Sequence, residues 1–213
     1  MFNIFRAAGD LSHLISILIL LNTIQKSRSI AGISLKTQIL YVLVFLTRYL
    51  DLTYRYVSIY NTLMKLFFIS SSIYIVYLMI YKFKNTETEQ IDTFPIEYLI
   101  GGSFILSLIF NYKFQFGEIL WSFSLWLESV AILPQLFMLQ RTGEARTLTT
   151  HYIFALGAYR TLYIPNWIFR WISEGRVDYL AIFTGIVQTI IYSDFFYIYY
   201  HRVLKGFKFE LPQ

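Results

Sequence analysis

The chain contains no cysteine and has few charged residues. The absence of cysteine excludes disulfide bonds, thiolate metal sites and cysteine nucleophiles, although it does not identify a compartment. Charged residues make up 15% of the chain, whereas a soluble domain of this size carries about 25%. Because hydrophobic residues make up 56%, the composition indicates a protein of the lipid bilayer. The net charge of +5 therefore reflects membrane orientation and is not interpreted as affinity for nucleic acid.

The apolar residues are concentrated in blocks long enough to cross a bilayer, which takes about 20 residues. A transmembrane barrel would instead have short strands of alternating polarity, and the sequence lacks that pattern. We therefore predict an all-α polytopic membrane protein, a single domain over residues 1–213 with seven transmembrane helices. The predicted helices span residues 4–24, 36–54, 61–81, 96–112, 117–139, 149–171 and 178–201.

Basic residues at the helix ends predict the orientation of the chain. One side receives ten of them: Lys26, Arg28, Lys36, Lys82, Lys84, Arg141, Arg146, Arg202, Lys205 and Lys208. The other side receives six: Arg6, Arg55, Lys65, Lys113, Arg170 and Arg176. Since cytosolic loops are enriched in lysine and arginine, the first side is predicted to be cytosolic. The N-terminus is then lumenal or extracellular, and the C-terminus is cytosolic.

Four predicted helices carry polar residues at spacings that place them on one helical face. Ionisable residues at membrane depth are costly unless they face partners or a wet cavity. We therefore expect the four faces to line one shared cavity that opens to the lumen. The residues are Arg6, Asp10 and His13; Arg48, Asp51 and Arg55; Glu118, Trp121 and Glu128; and Tyr159, Tyr163, Asn166 and Arg170, with Arg160 and Trp167 on an adjacent strip.

The arginines on these faces suit a ligand with several carboxylates, because guanidinium binds carboxylate bidentately. Asp51 and Glu118, near the predicted mouth, suit a single cation on the same ligand. Other interpretations remain open: arginines near helix ends can extend to the membrane interface, and Glu128 can form a purely structural ion pair with Arg160. His13 and the tryptophans can also be packing residues.

Several stretches resemble the KDEL receptor family over essentially the whole chain. They are GDLSHL (9–14), AGISLKTQ (31–38), TRYLDL (47–52), WLESVAILPQLFML (126–139), THYIFALGAYR (150–160) and YSDFFYIYY (192–200). Receptors of this family retain soluble proteins of the endoplasmic reticulum. The family's fold is similar to that of SWEET transporters and PQ-loop proteins, so the resemblance implies 3+1+3 parallel repeats, with the fourth helix as the link.

The resemblance implies a ligand, the C-terminal tetrapeptide Lys-Asp-Glu-Leu or His-Asp-Glu-Leu of escaped resident proteins. It assigns the acidic groups and the C-terminus to Arg6, Arg48, Tyr49 and Arg170. It assigns the cation at the first position to Asp51 and Glu118, beside Trp121. Further candidate ligand-binding residues are Arg55, Arg160, Tyr163, Asn166 and Trp167.

Receptors of this family bind in the acidic Golgi and release their ligand in the near-neutral endoplasmic reticulum. The resemblance implies a pH-sensing network of His13, Glu128, Tyr159 and Arg160, in which histidine titrates in the required range. Asp194 matches a residue linked to return transport. The cytosolic tail, residues 202–213, matches the segment that presents lysines to coatomer, here Lys205 and Lys208, although Phe207 interrupts the basic cluster. An alternative interpretation is that these lysines serve only to set the topology.

Two other functions fit part of the pattern. A SWEET-like or PQ-loop transporter of a small solute would share the fold, but a neutral sugar needs neither the arginines nor the Glu128–Arg160 charges. A seven-helix signalling receptor would normally have a loop disulfide, which this chain cannot form. We expect no enzymatic activity, metal or cofactor, because the sequence has no metal-ligand spacing or nucleophile constellation. The expected localisation is the membranes of the Golgi and endoplasmic reticulum.

Overall fold

The structure, a computed structural model, describes residues 3–84, 90–142, 144–145, 147–175, 177–203 and 209–210. Its helices are α1 (Ile4–Ser27), α2 (Leu35–Arg48), α3 (Ile59–Tyr77), α4 (Ile96–Ile109), α5 (Phe116–Val130), α6 (Leu133–Thr142), α7 (Thr147–Glu174) and α8 (Tyr179–Ile198). A 3-10 turn follows α2 (Leu50–Thr53), and π turns extend α3 (Leu78–Lys82) and α8 (Tyr199–Val203). Two short strands, β1 (Glu144–Ala145) and β2 (Phe209–Glu210), pair antiparallel.

Polar residues just before several apolar segments set where the helices begin. The side chains of Asn3, Ser34, Ser58 and Asp178 each accept a hydrogen bond from a backbone N–H in the first turn of the following helix. Such N-caps satisfy donors that have no partner within the helix. They explain why α1, α2, α3 and α8 begin within about two residues of the predicted positions.

Four helical segments are long and apolar enough to cross a membrane by length and composition: Ile4–Ser27, Ile59–Lys82, Phe116–Thr142, which comprises α5 and α6, and Tyr179–His201. A shorter apolar helix spans Ile96–Ile109. Many of their large hydrophobic side chains point outward, Ile4 and Tyr98 among them, as expected for surfaces that meet lipid. The helices support a polytopic membrane protein; seven spans and the 3+1+3 repeat stay predictions.

Proline accounts for the break in the predicted helix over residues 117–139. The helix ends at Val130, a turn covers Ala131 and Ile132, and α6 starts at Leu133. Proline favours the first turn of a helix because it has no N–H to donate, so Pro134 is compatible with a new start there.

The chain forms two compact units. The terminal unit consists of residues 1–28 and 139–213, and the central unit of residues 29–138. The terminal unit therefore joins the first helix to the last two, whereas the predicted repeats would group the first helix with the second and third.

Small residues allow very close helix packing in the terminal unit, where α1 packs along α7 and α7 along α8. A Cβ at Gly9 would lie 2.6 Å from the Tyr163 ring, and one at Gly157 would lie 2.5 Å from Cδ1 of Tyr192. A Cβ at Gly185 would overlap the indole of Trp167. Close backbone approach of this kind is a common basis of helix association in membranes.

Buried polar residues fasten the loop before α2 in the central unit. Oε1 of Gln135 accepts from the Ser34 N–H at 2.8 Å, and its Nε2 donates to the Gly32 carbonyl at 2.9 Å. The Ser34 hydroxyl donates to Asp92 at 2.9 Å. Asp92 also accepts from the Lys36 N–H at 3.0 Å, so its carboxylate lies at the N-terminus of α2, where negative charge is favourable. We call Gln135, Gly32, Ser34 and Asp92 the loop anchor.

Replacing Gln135 tests the stabilising role of the loop anchor. Gln135→Leu keeps the side chain's approximate size but leaves the buried Ser34 N–H without its acceptor. We expect a loss of unfolding free energy of about 2 kcal/mol, the cost of leaving a buried group unsatisfied. Thermal unfolding of the purified protein in detergent measures the effect.

The matched control is Gln115→Leu, because Gln115 is exposed and makes no side-chain cap bond. The control should unfold at the wild-type temperature. Equal unfolding temperatures for the two variants would contradict the proposed stabilising role of Gln135.

Candidate functional site

The residues predicted to bind ligand lie in both units, and each unit holds its own polar cluster. We call the first the terminal cluster: Arg6, Asp10, His13, Tyr159, Arg160, Tyr163, Asn166, Trp167 and Arg170. We call the second the central cluster: Arg48, Tyr49, Asp51, Arg55, Lys65, Glu118, Trp121, Ser124 and Glu128.

A buried aromatic stack places His13 within the terminal cluster. The imidazole of His13 lies parallel to the ring of Tyr159, with ring centroids 4.3 Å apart. The guanidinium carbon of Arg160 lies 5.2 Å from the centre of the same ring. His13 and Arg160 are only 6% and 5% exposed, so neither is a surface group that reaches to the interface. Among the described residues, the buried Tyr159 hydroxyl has no hydrogen-bond partner.

Asp10, one turn after Arg6 on α1, contacts two predicted ligand-binding residues, Arg6 and Tyr163. The Tyr163 hydroxyl donates to Oδ1 of Asp10 at 2.5 Å, and Nε of Arg6 lies 3.8 Å from Oδ2. The sequence placed Asp10 on the polar face of the first helix but gave it no role. The four-residue spacing from Arg6 is the signal that could have assigned one.

Polar contacts also occupy the C-terminal half of α7. Nδ2 of Asn3 donates to Oδ1 of Asn166 at 2.8 Å, which satisfies an amide that is only 2% exposed. Nε of Arg170 donates to Glu174 at 3.2 Å, one turn further along the helix. Arg170 thus already has a carboxylate partner, which the sequence analysis did not identify.

In the central cluster, Arg48 forms a buried ion pair with Glu128. Its Nη1 contacts Oε2 of Glu128, whose side chain is 1% exposed, against 15% for Arg48. Nε donates to the Ser124 hydroxyl at 3.1 Å, and Nη2 donates to the Ser124 carbonyl at 2.9 Å. Within its unit Glu128 thus pairs with Arg48; its predicted grouping with His13 and Arg160 stays a prediction.

A second ion pair joins the 3-10 turn to α3. Nζ of Lys65 lies 2.6 Å from Oδ2 of Asp51 and 5.8 Å from the centre of the Tyr49 ring. Tyr49 stacks on Phe45 and Phe68, which fixes the orientation of its ring. Sequence reasoning counted Lys65 as a basic residue of the lumenal side. Its place inside the apolar block 61–81 was the signal that it has a buried partner.

The remaining predicted residues of the central cluster are more exposed. Glu118 lies in the first turn of α5, and Trp121 lies one turn later with its ring 6.1 Å from that of Tyr112. A Cβ at Gly117 would lie 3.8 Å from the hydroxyl of Tyr54, so the start of α5 lies close to the chain that follows Asp51. Arg55 is exposed.

The residues predicted to act in transport lie at the C-terminal end. Asp194 is an exposed residue of α8. Lys205 and Lys208 lie outside the described residues, so their role stays a prediction.

The Arg48–Glu128 pair predicts strong coupling between two substitutions. Glu128→Met leaves a largely buried guanidinium without its carboxylate, and we expect a loss of about 3 kcal/mol of unfolding free energy. Arg48→Met/Glu128→Met removes both charges and should recover most of that loss. A double-mutant cycle based on unfolding in detergent measures the coupling. Strictly additive effects of the two single variants would show that the pair does not stabilise the fold.

Comparison with known proteins identifies the family. The family model described as ER lumen protein retaining receptor matches residues 29–170. The chain is 61% identical to the ER lumen protein-retaining receptor of Kluyveromyces lactis, over 100% of both chains. It is 57% identical to that of Saccharomyces cerevisiae, over 99% of this chain and 100% of the relative. It is 56% identical to that of Drosophila melanogaster, over 99% of both chains. Full-length identity at this level, together with the polar clusters on apolar helices, shows that the chain belongs to the ER lumen protein-retaining receptor family.

Proposed function

We propose that this retention receptor binds the C-terminal tetrapeptide Lys-Asp-Glu-Leu or His-Asp-Glu-Leu of soluble proteins that have left the endoplasmic reticulum. It binds them in the acidic Golgi, returns them in coatomer-coated vesicles and releases them at neutral pH. Membership in the family supports the receptor role, and the charged side chains of the two clusters support the choice of ligand. The proposed architecture is seven spans in a 3+1+3 arrangement, with a lumenal N-terminus and a cytosolic C-terminus.

The geometry of Arg48 is the observation that carries this proposal. A guanidinium has five N–H donors, and the contacts with Glu128 and Ser124 use three of them. One N–H therefore remains on each terminal nitrogen and can donate to a ligand carboxylate. Because Ser124 and Glu128 already hold the side chain in place, a ligand carboxylate would bind without ordering a flexible arginine.

The other proposed contacts follow the charges of the ligand, which has two acidic side chains, a free C-terminus and a cation at its first position. Arg6 and Arg170 bind acidic groups in exchange for their present partners Asp10 and Glu174. Asp51 and Glu118 bind the cation. Tyr163, Asn166 and Trp167 belong to the same cluster as Arg6 and provide polar and aromatic contacts.

His13 is the proposed sensor of pH. His13 stacks on Tyr159, and Arg160 lies over the same ring. Because these groups are buried, their charges are weakly screened, so a change in the charge of His13 affects both neighbours. Binding that depends on the imidazolium is strongest at acidic pH and weakens as the imidazole loses its proton toward neutrality. This is the direction that capture in the Golgi and release in the endoplasmic reticulum require.

The proposed return step uses the C-terminal end of the chain. Asp194 is exposed near the C-terminal end of α8, on the side proposed to be cytosolic. The tail, residues 202–213, presents Lys205 and Lys208 to coatomer.

Binding of a fluorescent peptide ending in His-Asp-Glu-Leu tests the proposed ligand. The purified protein should bind it at mildly acidic pH, bind it at least tenfold more weakly at neutral pH, and lose binding when the C-terminal carboxylate is amidated. The amidated peptide is the matched control because it differs only in the group proposed to bind arginine. Absence of binding at both pH values would reject the tetrapeptide as the ligand.

Replacing His13 tests the sensor separately from the ligand. His13→Ala should flatten the change in affinity between acidic and neutral pH, because it removes the titrating imidazole. His201→Ala is the control, since His201 is exposed near the C-terminal end of the chain and should retain the wild-type pH profile. An unchanged profile in the His13 variant would exclude this histidine as the sensor.

A further inference from the structure

We propose that Lys65 sets how strongly the receptor selects for a cation at the first position of its ligand. This inference rests on the proposed function and adds a residue to it. Lys65 acts by occupying Asp51, the carboxylate that the ligand's own cation would use.

The first observation is the contact itself. Nζ of Lys65 lies 2.6 Å from Oδ2 of Asp51, which is the distance of a charge-assisted hydrogen bond. The ammonium is an internal equivalent of the side-chain cation of a lysine ligand. A peptide with a cation at its first position therefore meets a carboxylate that is already neutralised.

The second observation is the difference in exposure between the partners. The side chain of Lys65 is 10% exposed, whereas that of Asp51 is 29% exposed. Asp51 is therefore the more accessible partner of the pair. Oδ1 of Asp51 is buried and has no hydrogen-bond partner among the described residues, so Oδ2, which already accepts from Lys65, is the oxygen for which a ligand cation would compete.

The third observation is the rigidity of the surroundings. Lys65 lies over the ring of Tyr49, which is held by stacking on Phe45 and Phe68. The ring face attracts the ammonium, which keeps the lysine beside Asp51. A ligand cation must therefore share Asp51 with Lys65, and the lysine reduces the gain from that contact.

A purely structural role for the pair makes a different prediction. If Lys65 only anchored the 3-10 turn to α3, its replacement would weaken all tetrapeptides in the same proportion. The ratio of affinities for two peptides separates the roles, because a shared loss of folded protein cancels in that ratio. The two peptides are labelled octapeptides that end in Lys-Asp-Glu-Leu and in Ala-Asp-Glu-Leu.

Two substitutions of Lys65 are expected to change this ratio in opposite directions. Lys65→Gln removes the competing charge, so preference for the lysine peptide over the alanine peptide should rise by about tenfold, within the range of coupling between charged sites. Lys65→Arg places a fork of donors that can hold both oxygens of Asp51, so the preference should fall. Lys113→Gln removes an equal charge from an exposed turn and should leave the ratio unchanged.

Each outcome decides the question. An unchanged ratio in the glutamine variant, despite intact folding, would overturn the proposal and leave Lys65 as an anchor. If that variant fails to fold, the arginine variant decides: a lower ratio supports the proposal, and an unchanged ratio overturns it. Failure of the wild-type protein to bind either peptide would instead count against the proposed function, so the two failures are distinguishable.

Discussion

The structure depends on the cost of placing charge inside a protein that is surrounded by lipid. Arg48 contacts the carboxylate of Glu128, and Lys65 contacts that of Asp51. An uncompensated charge at this depth would be strongly destabilising, so the partner fixes the geometry of each cation. The apolar outer faces of the helices then meet lipid without carrying these groups.

The same constraint shapes how such a protein can recognise a charged ligand. Three of its arginines, Arg6, Arg48 and Arg170, already contact a carboxylate of the protein itself. In the proposed function, ligand binding is therefore an exchange or a sharing of partners, and its net gain is smaller than the number of contacts suggests. The selectivity proposed for this arrangement depends on how well the ligand's charges replace or complement those already present.

The sequence predicted the helices better than it predicted the pairs. Apolar blocks and N-cap residues such as Ser34 and Ser58 act locally, so their positions can be found from short windows. Lys65 was missed as a partner of Asp51 because the two lie on different elements, and spacing along one helix carries no information about neighbours on another. Helical spacing likewise placed Glu128 on a polar face but could not identify Arg48 as a partner, because Arg48 lies on another helix. Pro134 marks the helix break in the sequence itself. The hydrogen bonds of Gln135 to Gly32 and Ser34, in contrast, depend on tertiary packing and cannot be found from a short window.

The composition of the terminal unit has a consequence for biosynthesis. Its first helix packs along α7, and the Ser12 hydroxyl bonds the Ala155 carbonyl across 143 positions of sequence. During translation α1 enters the membrane long before α7 exists, whereas the central unit is a continuous stretch that can assemble earlier. The polar face of α1, with Asp10 and His13, therefore has no α7 to pack against until the last third of the chain has been made.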